Sequence, residues 1–383
     1  MKPISILLNL TLFPFFLFGF SGIEFDMDSN IEINSHPFAI NSVPSDMIST
    51  WNIAVRQPIN EYSRWVVQAN TYQFLNQDVY DNGSLSLLVQ FKGKNEIGLK
   101  TYSGLQYQTV FLSDSLKNNE VSNFLGYMNL RKDINLSSFV KSGVDGKFSI
   151  YSEIPEFTNT SIDYWIGYHK SFQTKTSLQT YLNLGYQNFS QIIEGTSGSR
   201  QYSSNDVSDI PSRQIANISA QVSQNLGTYV GGIVRIEKQF RWTSLDDTYG
   251  TILVGDNPFL DNYEWEGESY SLKFNIRLPG AFRLTPWMSY QTLDFPDRKI
   301  YQYDFELDEY TIVDYAPVLL GVGRENAAKN IGFKLSKSMN YSIENIDVSI
   351  RMFTSMSYTS QESNDLLYDY EGRKVEFGIS VNP

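Results

Sequence analysis

The chain has 383 residues, of which 42 are acidic and 30 basic, giving a net charge of −12; it contains no cysteine. The negative charge argues against nucleic acid as a partner and against charge-driven binding to an anionic membrane surface. The absence of cysteine excludes a disulfide framework and thiolate metal sites.

The N-terminal segment has the features of a secretory signal peptide. Lys2 supplies a short positive region, a mostly apolar run follows, and small residues near Ser21 suit a cleavage site. An uncleaved membrane anchor is the alternative, but Pro14 interrupts the run and no positive flank follows it. We therefore expect residues 1–21 to be removed and residues 22–383 to form one mature domain.

The mature chain repeats an alternation of apolar and polar residues. In one run Tyr270, Leu272, Phe274, Ile276 and Leu278 alternate with Ser269, Ser271, Lys273, Asn275 and Arg277. Successive side chains of a β-strand point to opposite faces, so such a run has one apolar and one polar face. We predict about 16 strands, with 14–18 possible. Their apolar series begin at Ile23, Trp51, Trp65, Leu85, Ile97, Phe124, Leu136, Ile162, Leu178, Ala216, Val230, Tyr270, Phe282, Ile331, Ile346 and Val375.

The connections between these strands alternate in length. Short links rich in turn residues, such as Pro279-Gly280, alternate with long polar segments. The long segments are residues 35–47, 74–83, 113–121, 152–160, 191–212, 241–266, 294–326 and 359–370. Outer-membrane barrels have short periplasmic turns and long extracellular loops, whereas a soluble β-sandwich has no reason to sort its loops by length. The pattern predicts an all-β protein: a single transmembrane, antiparallel, up-and-down β-barrel with both termini at the short-turn end.

Eleven basic residues fall on the polar faces of the predicted strands. They are Arg56, Arg64, Lys92, Lys100, Arg131, Lys141, Arg235, Lys273, Arg277, Arg283 and Arg351. Because a charge facing lipid near the midplane costs about 2–4 kcal/mol, we expect them to face the lumen. They would either line a pore that selects solutes by charge or form salt bridges that fill a closed barrel. A barrel with this number of strands normally leaves an aqueous lumen, which favours the pore.

Acidic residues are concentrated in two of the long segments. Carboxylate clusters can bind divalent cations, but no spacing here matches a defined calcium loop, so we favour a solvated acidic surface. Tyrosines alternate with acids over residues 301–310. We interpret this stretch as a strand extension above the membrane, with an adhesive or carbohydrate-stacking surface as the alternative.

Catalysis has little support in the sequence. The chain has two histidines, His36 and His169, and no G-x-S-x-G motif. His36 lies in the first predicted outer loop, and His169 lies at the short-turn end, where a surface hydrolase would not place it. We expect no catalytic, cofactor or metal site, and no enzymatic activity.

The predicted last strand contains Tyr370-x-Gly372-x-x-Val375-x-Phe377. This pattern resembles the signal that the barrel-assembly machinery recognises. Together with the signal peptide and the hairpins, it makes the mature chain similar to a porin-like outer-membrane β-barrel of Gram-negative bacteria. The resemblance implies an outer-membrane location, with membrane lipid and the assembly machinery as partners.

Three functional hypotheses follow. The first is a porin-like channel for passive diffusion of small hydrophilic solutes. The second is a non-conducting barrel, either a scaffold, an adhesin or a component of a secretion assembly, whose acidic, tyrosine-rich loops bind a surface partner or glycan. The third and weakest is a surface hydrolase. The sequence leaves the solute and the oligomeric state open.

Overall fold

Sixteen strands of the computed structural model form one closed antiparallel barrel. The structure describes residues 24–35, 45–113, 120–153, 158–189, 212–243, 263–296, 301–304, 309–312, 323–343, 346–365 and 368–382. The barrel strands are β1 (Glu24–Asn34), β2 (Asp46–Asn60), β3 (Ser63–Phe74), β4 (Asn82–Lys94), β5 (Leu99–Leu112), β6 (Val121–Asn135), β7 (Ser138–Tyr151), β8 (Asn159–Ser171), β9 (Thr176–Phe189), β10 (Arg213–Asn225), β11 (Val230–Thr243), β12 (Gly267–Leu278), β13 (Phe282–Phe295), β16 (Arg324–Ile343), β17 (Ile346–Ser363) and β18 (Tyr370–Asn382). β1 pairs with β18 and closes the sheet. The predicted fold class and strand number are confirmed.

Two further strands lie outside the barrel. β14 (Tyr301–Asp304) and β15 (Glu309–Ile312) pair only with each other, so β13 neighbours β16 directly. The predicted strand extension over residues 301–310 is therefore wrong: the two short strands satisfy their ladder hydrogen bonds with each other, and β13 pairs with β16, which begins at Arg324. The predicted signal peptide lies outside the described residues.

The connections are sorted by length as the sequence predicts. At one end of the barrel, no more than four residues separate successive strands, whereas at the other end the separation ranges from six to 28 residues. Gly98 and Gly280 have φ angles of 75° and 72° in two short turns, a left-handed conformation that glycine adopts without strain. β1 begins and β18 ends at the short-turn end. A 3₁₀ turn, η1 (Asp78–Tyr80), lies between β3 and β4.

The strand stagger gives the size of the barrel. The stagger is the displacement along β1 that results when directly paired residues are followed from strand to strand around the barrel and back to β1. It is about 20 residues. With strands about 4.8 Å apart and about 3.3 Å per residue, this stagger implies a tilt of about 40° and a backbone radius of about 16 Å. A barrel of this size is wide enough for an aqueous lumen.

The outer face of the barrel is apolar and exposed. Leu105 is 68% exposed and Ile331 59%, and the alternate outward positions on the other strands carry similar side chains, such as Phe124 and Ile218. No helix among the described residues is long and apolar enough to cross a membrane. A closed strand barrel satisfies every ladder hydrogen bond internally, and its apolar outer face suits lipid. The protein is therefore a transmembrane barrel of a bacterial outer membrane.

Candidate functional site

The inner face of the barrel carries polar side chains on every strand. Directly paired residues of an antiparallel ladder point to the same face, so the pairing register assigns each residue to one side. Asn217 and Gln239, for example, are directly paired, and Asn217 Nδ2 lies 3.4 Å from Gln239 Oε1. Most of the buried polar side chains, among them Ser86 and Asn123, belong to this register. The lumen wall is thus hydrophilic around the whole barrel.

All eleven basic residues singled out from the sequence lie on inner-face register positions. Arg235 on β11 and Lys273 on β12 lie nearer the middle of their strands. The other nine lie towards the short-turn end, together with Lys94, which the sequence reasoning did not include. We call these ten residues the basic belt: Arg56, Arg64, Lys92, Lys94, Lys100, Arg131, Lys141, Arg277, Arg283 and Arg351.

Some of these cations have acidic partners. Arg56 forms an ion pair with Asp26 on the neighbouring strand. Asp133 accepts hydrogen bonds from Lys100 Nζ and Arg131 Nε, both at 2.8 Å. Arg235, outside the belt, contacts Glu237 at 2.6 Å. The remaining predicted cations have no ion-pair partner among the described residues; they are Arg64, Lys92, Lys141, Lys273, Arg277, Arg283 and Arg351.

An aromatic side chain holds part of the belt in place. A Cβ at Gly104 would lie only 2.6 Å from the ring of Tyr127, so glycine allows the ring to lie flat on β5. Tyr127 Oη is then 2.9 Å from Gln90 Nε2, and Gln90 Oε1 accepts a 2.7 Å hydrogen bond from Arg64 Nε. This chain of contacts orients the Arg64 guanidinium at the short-turn end of the lumen.

A short segment near the long-loop end of the barrel packs against the inner wall. We call residues 263–266, which precede β12, the inner latch. Arg241 Nε donates to the carbonyl oxygen of Tyr263 at 2.8 Å, and Gln239 Nε2 donates to that of Trp265 at 2.8 Å. Arg213 lies 3.6 Å from the carboxylate of Glu264.

The Tyr263 side chain is buried against the wall at a glycine. A Cβ at Gly185 would lie 2.7 Å from Tyr263 Oη, 2.6 Å from Asp163 Oδ1 and 2.8 Å from Ile215 Cγ1. Gly185 therefore leaves the space that the tyrosine occupies, and Arg241 and the tyrosine are themselves buried. The latch narrows the lumen on the side formed by β8 to β11.

Two anchors order the outer mouth. The buried carboxylate of Asp46 accepts hydrogen bonds from the backbone N–H groups of Asn76 and Gln77, at 3.0 Å each, and so fixes the start of the β3–β4 loop. In the same loop the pKa of Asp81 is raised, chiefly because its carboxyl is partly buried. The hydrogen bond from the Phe74 N–H acts in the opposite direction, and the nearby carboxylates of Asp78 and Asp46 raise the pKa further.

The second anchor is Arg324 at the start of β16. Its guanidinium lies 4.2 Å from the ring centroid of Phe295 and 3.7 Å from that of Tyr368. All three residues are buried, so this stack joins the end of β13 and the β17–β18 connection to the start of β16. Stacking on two aromatic faces suits arginine, whose planar cation is weakly hydrated.

Sequence reasoning missed the arginines that do most to shape the outer half of the lumen. Arg213 and Arg324 are the first residues of their strands, and Arg241 was assigned to a loop. For Arg241 the sequence contained a signal, because it lies between Phe240 and Trp242 and continues the inner-face series of Arg235, Glu237 and Gln239.

The structure brings no catalytic constellation together in the part of the chain that it describes. His169 stacks on Phe139 with ring centroids 4.6 Å apart, and its Nε2 lies 3.2 Å from Ser171 Oγ at the short-turn end. His36 lies outside the described residues. Among the described residues, no group of three or more His, Asp or Glu side chains could hold a metal ion.

The chain is similar in fold to solved outer-membrane proteins. OccAB1 of Acinetobacter baumannii matches with a TM-score of 0.47 and 10% identity over 94% of this chain and 96% of that one. CdiB from Acinetobacter baumannii matches with a TM-score of 0.50 and 8% identity over 94% of this chain and 60% of that one. Pseudomonas aeruginosa OccK10 (OpdN) matches with a TM-score of 0.45 and 10% identity over 95% of this chain and 99% of that one. No protein-family model and no curated protein matches the sequence.

Proposed function

We propose that the protein is a channel through which small hydrophilic solutes diffuse passively across the outer membrane. The observation that carries this proposal is the continuous polar inner face of a closed sixteen-stranded barrel. With a backbone radius of about 16 Å and side chains that reach inward by about 5 Å, an opening on the order of 20 Å remains before the latch narrows it. Apolar filling of such an interior would need inward-facing apolar side chains, and most inward positions are polar instead.

Solutes would be selected by size and by the field of the lumen charges. The seven predicted cations without ion-pair partners in the described part of the chain support the pore lining over salt-bridge filling, because no carboxylate neutralises their charge and it can act on solutes. The partners of this function are membrane lipid and the solutes themselves.

Assembly would proceed through the barrel-assembly machinery, with β18 as the recognised strand. Val375 and Phe377 of its motif lie on the outer-face register, and Phe377 is 54% exposed. Before β18 pairs with β1, these outward-facing side chains and the backbone edge of β18 would both be available to an assembly partner.

Single-channel recording in planar bilayers tests the channel directly. Folded protein, verified by its heat-modifiable migration in detergent gels, should produce discrete conductance steps. Liposomes that contain it should swell in isosmotic solutions of small sugars and resist swelling in large ones. A folded sample without conductance or swelling would overturn the proposal and favour a non-conducting scaffold.

A further inference from the structure

We propose that the basic belt is an anion-binding zone that makes the channel selective for small anions over cations. This inference rests on the proposed channel function and names the class of solute that it favours. The ligands are inorganic anions or small organic acids and phosphates, which share a compact negative group.

Six of the ten belt residues are paired directly with another cation across the ladder. Lys94 is paired with Lys100, Lys100 with Arg131, and Arg131 with Lys141, which gives a row of four basic residues across four strands. On the opposite side, Arg277 is paired with Arg283. Like charges at directly opposite positions destabilise a sheet. Asp133 bridges Lys100 and Arg131, and the cations of Arg131 and Lys141 lie 3.8 and 5.4 Å from the Phe139 ring centroid, so internal contacts offset part of one row. The Arg277–Arg283 pair has no such contact among the described residues, and an anion bound between the two cations would stabilise it.

Few acidic groups neutralise these rows. Asp133 forms ion pairs with both Lys100 and Arg131, and Asp26 forms one with Arg56. The other seven belt residues have no ion-pair partner among the described residues. Further acidic residues on the inner face at this end include Glu24, which pairs in register with Arg56, and Asp28, whose partner Ser380 is also paired with Arg351. The balance at this end of the lumen is thus positive, although the whole chain carries a net charge of −12.

A cavity within the belt offers a defined place for an anion. It has a volume of about 320 Å³, and three cations, Arg56, Arg64 and Lys92, line it together with two acidic residues, Glu24 and Glu61. Gln90, Tyr102 and Tyr127 also contribute to its wall. A volume of this order accommodates a small ligand. Arg64 is oriented there by Gln90, and the tyrosine side chains supply apolar walls with hydroxyl groups. The Lys92 ammonium has no partner within the described residues and is free to contact the ligand.

Charge removal with a matched control tests the belt. The belt variant combines Lys94→Gln, Lys141→Gln and Arg283→Gln, each of which removes one member of a like-charge pair, so the barrel should fold at least as well as the wild type. The control combines Lys132→Gln, Lys170→Gln and Lys337→Gln, which remove the same charge from the outer face at the same end.

The measurement is the reversal potential under a KCl gradient. The wild type should show a higher permeability to chloride than to potassium. The belt variant should lower that permeability ratio by about fourfold at about 0.1 M salt, because three screened charges act oppositely on the two ions. The control should leave the ratio unchanged. A wild-type channel without anion preference, or an equal effect of both variants, would overturn the inference while leaving the channel function intact.

A binding experiment covers the case in which no current is found. Calorimetric titration of the folded protein in detergent with sodium tripolyphosphate should show binding that weakens about tenfold in the belt variant and persists in the control. That result would support the anion zone even if the channel function failed. Absence of binding, or equal loss in both variants, would count against the belt.

Discussion

The inner latch offers a quantitative test of how the outer half of the lumen is shaped. Arg241→Met keeps the apolar stem but removes the guanidinium that donates to the Tyr263 carbonyl at 2.8 Å. A hydrogen bond from a charged group contributes about 1.5–3 kcal/mol, and the buried carbonyl would be left without this donor. A loss of about 2 kcal/mol should raise the population of the released latch by about thirtyfold.

Thiol labelling measures this release cleanly because the chain contains no cysteine. Trp265→Cys places a single thiol in the latch, where the backbone rather than the side chain makes the contact with Gln239. The labelling rate with a small maleimide should rise by about the same thirtyfold when Arg241→Met is added. Conductance should also increase in that variant, since the lumen widens on the β8 to β11 side.

Arg235→Met is the matched control. Arg235 lies on the same strand and the same face but contacts Glu237, not the latch. Its substitution should leave the labelling rate unchanged. If Arg241→Met had no effect, or if both substitutions accelerated labelling equally, the latch would not be held by the contacts described.

Three further predictions concern the wall and the outer loops. The side chain of Leu182 faces lipid, so Leu182→Lys should lower the free energy of unfolding by about 2–4 kcal/mol in urea titrations. Asn183 faces the lumen, and Asn183→Lys should be nearly neutral; equal effects would contradict the face assignment. Gly104→Val places a methyl-bearing carbon 2.6 Å from an aromatic ring and should cost about 1–3 kcal/mol, unlike Gly146→Val, whose Cβ meets its first neighbour at 3.9 Å. The raised pKa of Asp81 means that the folded state binds its proton more tightly, so its contribution to stability grows as pH falls through that pKa towards the ordinary aspartate value. Asp81→Asn should flatten this part of the pH–stability curve, and an unchanged slope would show that another group titrates there.

The strand pattern could be predicted because its physical cause is local. Lipid on one side and water on the other impose a two-residue period on every strand, and that period is visible at Leu182 and Asn183 without any knowledge of their neighbours. The eleven basic residues followed from the same rule, since each occupies a polar position in an alternating run.

Features that depend on pairing register or on loop paths could not be read in this way. The row from Lys94 to Lys141 joins residues of four strands, and only the register shows that they are directly opposed. The latch depends on Gly185 lying beside Tyr263, although 77 positions separate them in the sequence. At residues 301–310, the alternation identified strands correctly, but it carries no information about which partner a strand will choose.

The like-charge rows also bear on whether the lumen contains water. Two unit charges about 4 Å apart repel by about 1 kcal/mol in water but by about 4 kcal/mol at an effective dielectric constant of 20. The belt contains four directly opposed basic pairs, counting the Arg277–Arg283 pair with the three of the row. In a packed, poorly hydrated interior their repulsion would be on the order of 15 kcal/mol, comparable with the whole stability of a typical domain. In a water-filled lumen it falls to a few kcal/mol, which Asp133 partly offsets and which mobile anions reduce further. The arrangement of the belt is therefore compatible with a hydrated channel and hard to reconcile with a barrel filled by salt bridges.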